Sequence, residues 1–207
     1  MNRLRTTGII LVLVVVAAFC GRAHAEAEHR EPLEKAIAYD AVGDYPAALT
    51  AYLAYIEAEG EGFRDFRVVE RVDMLHRLQL QKADDLKADG EYAKAHSEYL
   101  RVPDMEQVEE PLAARATLKA ADCLAAMDRL KEARAAYSQV LENPRSHWPD
   151  RGRAQAGIAR TFEAEEKTAE AVAAWAAFLE MKNTSRFDRQ TAEERLGALS
   201  SREQRAQ

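Results

Sequence analysis

Residues 36–52 read AIAYDAVGDYPAALTAY and residues 83–99 read ADDLKADGEYAKAHSEY. Superposed, they align Ala36 with Ala83, Tyr39 with Leu86, Ala41 with Ala88, Gly43 with Gly90, Ala48 with Ala95 and Tyr52 with Tyr99. The columns recur twice more when Ala133 and Ala171 are taken as anchors beside Ala48 and Ala95. Four residues after the anchors stand Tyr52, Tyr99, Tyr137 and Trp175; twelve before them stand Ala36, Ala83, Ala121 and Ala159. Nine before them come Tyr39, Leu86, Leu124 and Phe162, and seven before them Ala41, Ala88, Ala126 and Ala164. Alanine is abundant here, so the aromatic and large apolar columns carry most of the information. Fixed-period self-similarity marks a repeat architecture.

The spacings describe a pair of antiparallel helices. In the first helix of each copy the small residue and the large one three later share a face; in the second, the alanine and the aromatic four later do the same. A small residue lets two helices approach closely, and the aromatic fills the space beside it. Gly43-Asp44-Tyr45 and Gly90-Glu91-Tyr92 supply turns, because glycine tolerates the left-handed conformation that ends many helices. The corresponding Asp128-Arg129-Leu130 and Glu166-Lys167-Thr168 lack glycine, which predicts less sharply specified turns.

On these residues the sequence resembles the tetratricopeptide repeat (TPR) family over roughly Glu31 to Met181. The likeness is carried by Gly43-Asp44-Tyr45 with Ala48 and Tyr52, and by Gly90-Glu91-Tyr92 with Ala95 and Tyr99. It implies an all-α superhelix, a TPR-like solenoid of about four helical hairpins plus a C-terminal capping helix, that binds another protein. The anchors are 47, 38 and 38 residues apart, against a usual family period of about 34. The longer period and the Asn143-Pro144-Arg145-Ser146 linker are similar to exported TPR proteins of envelope assembly in Gram-negative bacteria. The asparagine and lysine pairs of the family's carboxylate clamp are absent; Ile37, Asp84, Asp122 and Arg160 stand there instead.

The extra length has its own pattern. Val68, Val72, Leu75 and Leu78 form a helical stripe that resumes at Ala83 and Leu86, interrupted at Gln79. This predicts either one helix from about Asp65 to Ala88 or two helices joined near Gln79. Pro111 and Pro149 stand where first helices begin, a position whose amides have no intrahelical acceptor. Asn183-Thr184-Ser185 reads as a cap for a last helix carrying Phe187, Ala192, Leu196 and Leu199.

The chain has 207 residues, 47% of them apolar, enough for one or two domains with a core. Nine glycines and six prolines are too few for disorder, collagen or a turn-rich β-sandwich. Met1 to Ala25 joins a basic start at Arg3 and Arg5 to an apolar run and Ala23-His24-Ala25, the form of a cleavable signal peptide. Its uncharged stretch, Thr6 to Gly21, is short for a membrane span. Retention as an anchor and lipidation at Cys20 are alternatives, the latter disfavoured by Phe19. The organisation expected is a signal peptide over 1–25, repeats over 26–182, and a capping helix and tail over 183–207, in a periplasmic or secreted bacterial protein.

Cleavage would remove Arg3, Arg5 and Arg22, leaving 26 of 29 basic residues against 35 acidic ones, a net charge of −9. Nucleic acid is therefore not an expected partner, since binding it needs a concentrated basic surface. The mature chain would keep Cys123 alone, among Ala120, Ala121, Leu124 and Ala125, and so could form no internal disulfide. That setting points to a buried, inert thiol.

An arginine stands eighteen residues before each anchor: Arg30, Arg77, Arg115 and Arg153. On the first helices these form a ladder able to grip an acidic partner segment through charge-assisted hydrogen bonds, with Arg77, Arg115 and Arg153 its main rungs. The competing reading is a set of ion pairs between repeats, which Asp84 and Asp122, two turns from Arg77 and Arg115, would favour. Enzymatic signals are weak. His29, His76, His96 and His147 lack metal-ligand spacing, Ser97 and Ser146 are histidine neighbours in sequence only, and no glycine-rich phosphate loop occurs. Glu165-Glu166 reads as an exposed helix end, and Trp148 as a contact residue or a linker packed down. A protein-binding scaffold without cofactor or metal is the expectation, with self-association or a carboxylate or histidine site in the groove as alternatives.

Overall fold

The computed structural model describes residues 30–60, 63 and 65–206. The expected signal peptide and His29 lie outside the described residues. Among those residues there are nine helices and no strand. They are α1 (30–41), α2 (Tyr45–Glu59), α3 (Phe66–Ala88), α4 (Tyr92–Arg101), α5 (Glu110–Ala126), α6 (Leu130–Glu142), α7 (Trp148–Ala164), α8 (Thr168–Glu180) and α9 (Arg186–Ala206). Two compact units result, one up to Leu75 and one from His76, with the boundary inside α3.

In the first unit Ala36, Ala48, Leu49, Tyr52, Val68, Val72 and Leu75 are buried. In the second, consecutive helices from α4 to α9 pack in pairs, and α5 also meets α7, so first helices lie side by side. The repeat columns form this core. Ala83, Ala95 and Tyr99 pack with Ala120 and Cys123; Ala121, Leu124, Ala133 and Tyr137 with Leu118, Val140 and Ala154; Ala159, Ala171 and Trp175 with Ala174, Phe178, Ala192 and Leu199. Fully burying one such large side chain contributes about 1.5–3 kcal/mol.

The four hairpin turns are alike, contrary to the expectation of two sharp and two loose ones. Gly43 and Gly90 have φ of 72° and 77°, and Asp128 and Glu166 have φ of 60° and 58°. In each turn the next N–H reaches back to the large apolar column: Asp44 to the Tyr39 carbonyl at 2.9 Å, Glu91 to Leu86 at 2.9 Å, Arg129 to Leu124 at 2.9 Å and Lys167 to Phe162 at 3.0 Å. No N-cap side chain bonds the first turn of α2, α4, α6 or α8, and this backbone bond is common to all four turns. Holding a non-glycine residue left-handed costs about 1–2 kcal/mol. The buried contacts on both flanks of the turns impose that geometry at Asp128 and Glu166.

Of the two readings for α3, the single helix is the one formed. Gln79 does not mark a join; it is completely buried and donates Nε2 to the Glu98 carbonyl at 3.0 Å and to Glu98 Oε2 at 2.7 Å. Gln155 holds the same register position in α7, donating Nε2 to the Ala174 carbonyl at 2.9 Å. A polar residue inside an apolar stripe is thus a strut between paired helices. Arg30 is helical and belongs to α1. Pro111 and Pro149 occupy the first turns of α5 and α7. Ser185 caps α9, its Oγ accepting from the Asp188 N–H at 3.0 Å. Of the four apolar residues expected on α9, Ala192 and Leu199 are buried and Leu196 packs partly, while Phe187 is 78% exposed.

Candidate binding face

Each aromatic of the repeat ends on a carboxylate of its own first helix. Tyr52 donates to Asp40 Oδ2 at 3.3 Å, Tyr99 to Asp84, Tyr137 to Asp122 Oδ1 at 2.7 Å, and the Trp175 indole N–H to Glu163 Oε1 at 2.6 Å. Asp40 and Glu163 stand eight residues before their anchors, Asp84 and Asp122 eleven. Those positions are one helical turn apart on one face, so either can serve. Sequence columns one residue wide did not reveal the pattern; allowing a one-turn shift would have. Burial and the neighbouring aspartates push the hydroxyl pKa of Tyr99 and Tyr137 strongly upward.

The carboxylates in turn bind cations of adjoining first helices. In the first unit Asp40 pairs with Arg71, whose Nε and Nη2 each lie 2.6 Å from one of its oxygens. In the second, Lys119 Nζ of α5 is 2.6 Å from both oxygens of Asp84 in α3, and Lys87 Nζ of α3 is 3.1 Å from Asp122 Oδ2 in α5. Asp84 and Asp122 therefore pair with lysines across the junction and not with Arg77 and Arg115. Two reciprocal pairs thus join α3 and α5.

The arginines take separate positions. Arg77 is exposed on α3. Arg115 Nε lies 3.3 Å from Asp150 Oδ2 of α7, and Arg153 Nη1 lies 4.0 Å from Asp150 Oδ1. Asp150 is 1% exposed, so its charge is inside the fold while both guanidinium groups reach solvent. Arg115 is thus part of a pair between repeats and still presents donors outward. Glu165 departs from the expected exposed helix end. It lies 2.8 Å from Arg134 Nη2 and 2.7 Å from Lys167 Nζ, and hydrogen bonds from Arg134 and then Lys167 push its pKa down to about 2. The Arg134 guanidinium also stacks over the Phe162 ring, 4.5 Å from its centroid.

The remaining chemistry-bearing residues are dispersed. His76 Nε2 is 2.7 Å from the Glu106 carbonyl oxygen, which ties α3 to the loop before α5. His96 is half-buried, and burial with the nearby Arg129 lowers its pKa. The His147 ring lies 6.1 Å from that of Trp148, which is 48% exposed. Ser97 donates to the Ala93 carbonyl at 3.2 Å, and Ser146 is buried. Cys123 is buried and its thiol pKa is pushed up to about 11 by burial, a neutral group of low reactivity. Among the described residues no cluster of three or more histidine, cysteine or acidic side chains could hold a metal ion. No helix of the described residues is long and apolar enough to cross a membrane.

No family model matches the sequence, and no curated protein matches it either. Among solved structures it is similar to one described as the crystal structure of the P58(IPK) TPR domain at 2.5 Å, with 22% identity and a TM-score of 0.51. The match covers 82% of this chain, which spans 45% of the length of that one. The fold is accordingly all-α and TPR-like.

Proposed function

We propose that the protein is an exported TPR-like scaffold that binds another protein through the face formed by the first helices of its second unit. The supporting observation is the arrangement about Asp150. A buried carboxylate draws Arg115 of α5 and Arg153 of α7 to one surface, while both side chains remain 44% and 68% exposed. Arg77 extends the set on α3. Preformed helix faces with oriented guanidinium groups bind a peptide segment without cofactor, and carboxylates are their best partners. The acidic net charge of the chain weighs against nucleic acid. The pattern of Met1 to Ala25 supports export through a cleaved signal peptide into a periplasm, where assembly of envelope proteins is the role in view.

Cross-linking in the native cell followed by mass spectrometry tests the reading, with Arg77, Arg115 and Arg153 changed together to alanine as the comparison. Capture of a protein by the native chain and its loss in the triple variant is the expected result; capture unchanged at low ionic strength would remove the ladder. Intact-mass analysis of the exported protein tests the address, and a chain still beginning at Met1 or lipidated on Cys20 would overturn it.

A further inference from the structure

Two junctions of the second unit lie one 38-residue period apart, and they differ where a ligand could enter. Between α5 and α7, Ala114 and Leu118 are buried and the Arg115–Asp150 pair closes the surface at 3.3 Å. One period on, between α7 and α9, Gly152 replaces Ala114, Ala156 replaces Leu118 and Arg160 replaces Asp122. The first two changes remove side-chain volume, and the third exchanges an acid for a guanidinium. Nor is the closing pair repeated. Asp188, the counterpart of Asp150, accepts a hydrogen bond from Ser185 Oγ at 2.7 Å, while Arg153 leans back toward Asp150 at 4.0 Å.

A cleft opens where the first junction is closed, with Arg153, Ala156 and Arg160 on one wall, Asp188 on the other and Trp175 and Phe178 beneath. Phe178 stands where the first junction has Val140, and its Cε2 would be 3.7 Å from a Cβ built on Gly152, so the ring forms a solid floor. The Trp175 N–H is bound to Glu163, and its ring, 2% exposed like that of Phe178, backs the cleft from within the core. Arg153 and Arg160 are both exposed and two turns apart on one face of α7.

From this we infer that the cleft seats a glutamate side chain of an extended partner segment. Its carboxylate accepts hydrogen bonds from Arg153 and Arg160, and its methylenes lie over Ala156, in the volume that Leu118 fills one period earlier, against Trp175 and Phe178. The inference rests on the scaffold reading above and gives that reading a chemical specificity.

The test is a titration of the nitrogen-15-labelled full chain with acetyl-Ala-Glu-Ala-amide, followed at the Trp175 indole N–H and the Arg153 and Arg160 Nε–H signals. Saturable shifts are expected, with the glutamine tripeptide bound about tenfold more weakly or worse, the loss of a charge-assisted hydrogen bond. Ala156→Leu restores the residue of the closed junction, and Arg160→Gln removes one donor; each should weaken binding about tenfold while thermal unfolding shows the fold intact. Equal binding of the glutamine tripeptide, equal binding of acetate, or unchanged affinity in both variants would overturn the inference. Cross-linking separates it from the scaffold reading. Partner capture lost in the Arg77, Arg115 and Arg153 triple variant but kept in both Ala156→Leu and Arg160→Gln would leave the scaffold standing and remove the cleft. With no partner captured by the native chain the scaffold falls, and the tripeptide titration decides the cleft by itself.

Discussion

Where α5 packs on α4, the Lys119 ammonium lies over the Tyr99 ring, 5.9 Å from its centroid, and where α7 packs on α6 the Tyr137 ring lies against the backbone of Gly157. Lys119 and Gly157 occupy the same column, fourteen residues before their anchors. The lysine reaches across and binds Asp84, the acceptor of the Tyr99 hydroxyl. The glycine brings α7 so near that a Cβ would stand 2.5 Å from Tyr137 Cζ, and Asp122 takes its cation from Lys87 behind it. One tyrosine–aspartate unit is thus covered by a charge in one junction and by main chain in the other. The period conserves the contact between helices, not the residue that makes it.

The comparison breaks most sharply at Gly157. Gly157→Ala forces a buried ring to shift and should cost about 1–3 kcal/mol in urea unfolding despite the better helix propensity of alanine, whereas Lys119→Ala should cost less than about 1 kcal/mol because that ammonium is partly solvated. A neutral Gly157→Ala would mean that the close approach is not real.

Alkaline pH probes the shared tyrosines. Both hydroxyls have folded-state pKa values above their ordinary value near 10, so they favour the folded chain fully below about pH 10, and that contribution is lost as pH rises through the folded values. Stability should fall above pH 10 with a slope of up to about 1.4 kcal/mol per pH unit for each tyrosine. Tyr99→Phe and Tyr137→Phe should each cost about 1 kcal/mol at neutral pH and flatten that slope. An unchanged slope in the double variant would show that other groups carry it.

The turns give the smallest effects and opposite signs. Gly90→Ala should lose about 1 kcal/mol, because it places a Cβ in the left-handed region. Asp128→Gly and Glu166→Gly should each gain about 0.5 kcal/mol, relieving strain at some entropic cost in the unfolded chain. Equal melting temperatures across the three variants would show that these residues are not held as described.

Much of the hairpin arrangement is legible from five columns, because alanine and aromatic residues at helical spacing leave few other ways to bury them. Gln79 was misleading for a physical reason: a single amide inside an apolar stripe looks like an interruption, and only the carbonyl at Glu98 shows it to be a strut. A comparison with Gln155, one residue of the same type at the same offset, would have given the hint. The proposed binding face was harder to read. The arginines are visible as a column, but whether each meets Asp84, Asp122 or Asp150 depends on the offset between neighbouring helices, which no spacing within one helix contains.

The sequence by itself determined the helical hairpins and their period, though not that α3 is one helix, since these follow from local spacing and from the need of each apolar face for a partner. Tertiary structure alone decided which carboxylate each aromatic and cation would find, the left-handed turns at Asp128 and Glu166, and the closure of one junction beside the opening of the next. These depend on distances of a few ångströms between helices, set by the summed volume of side chains such as Leu118 and Ala156.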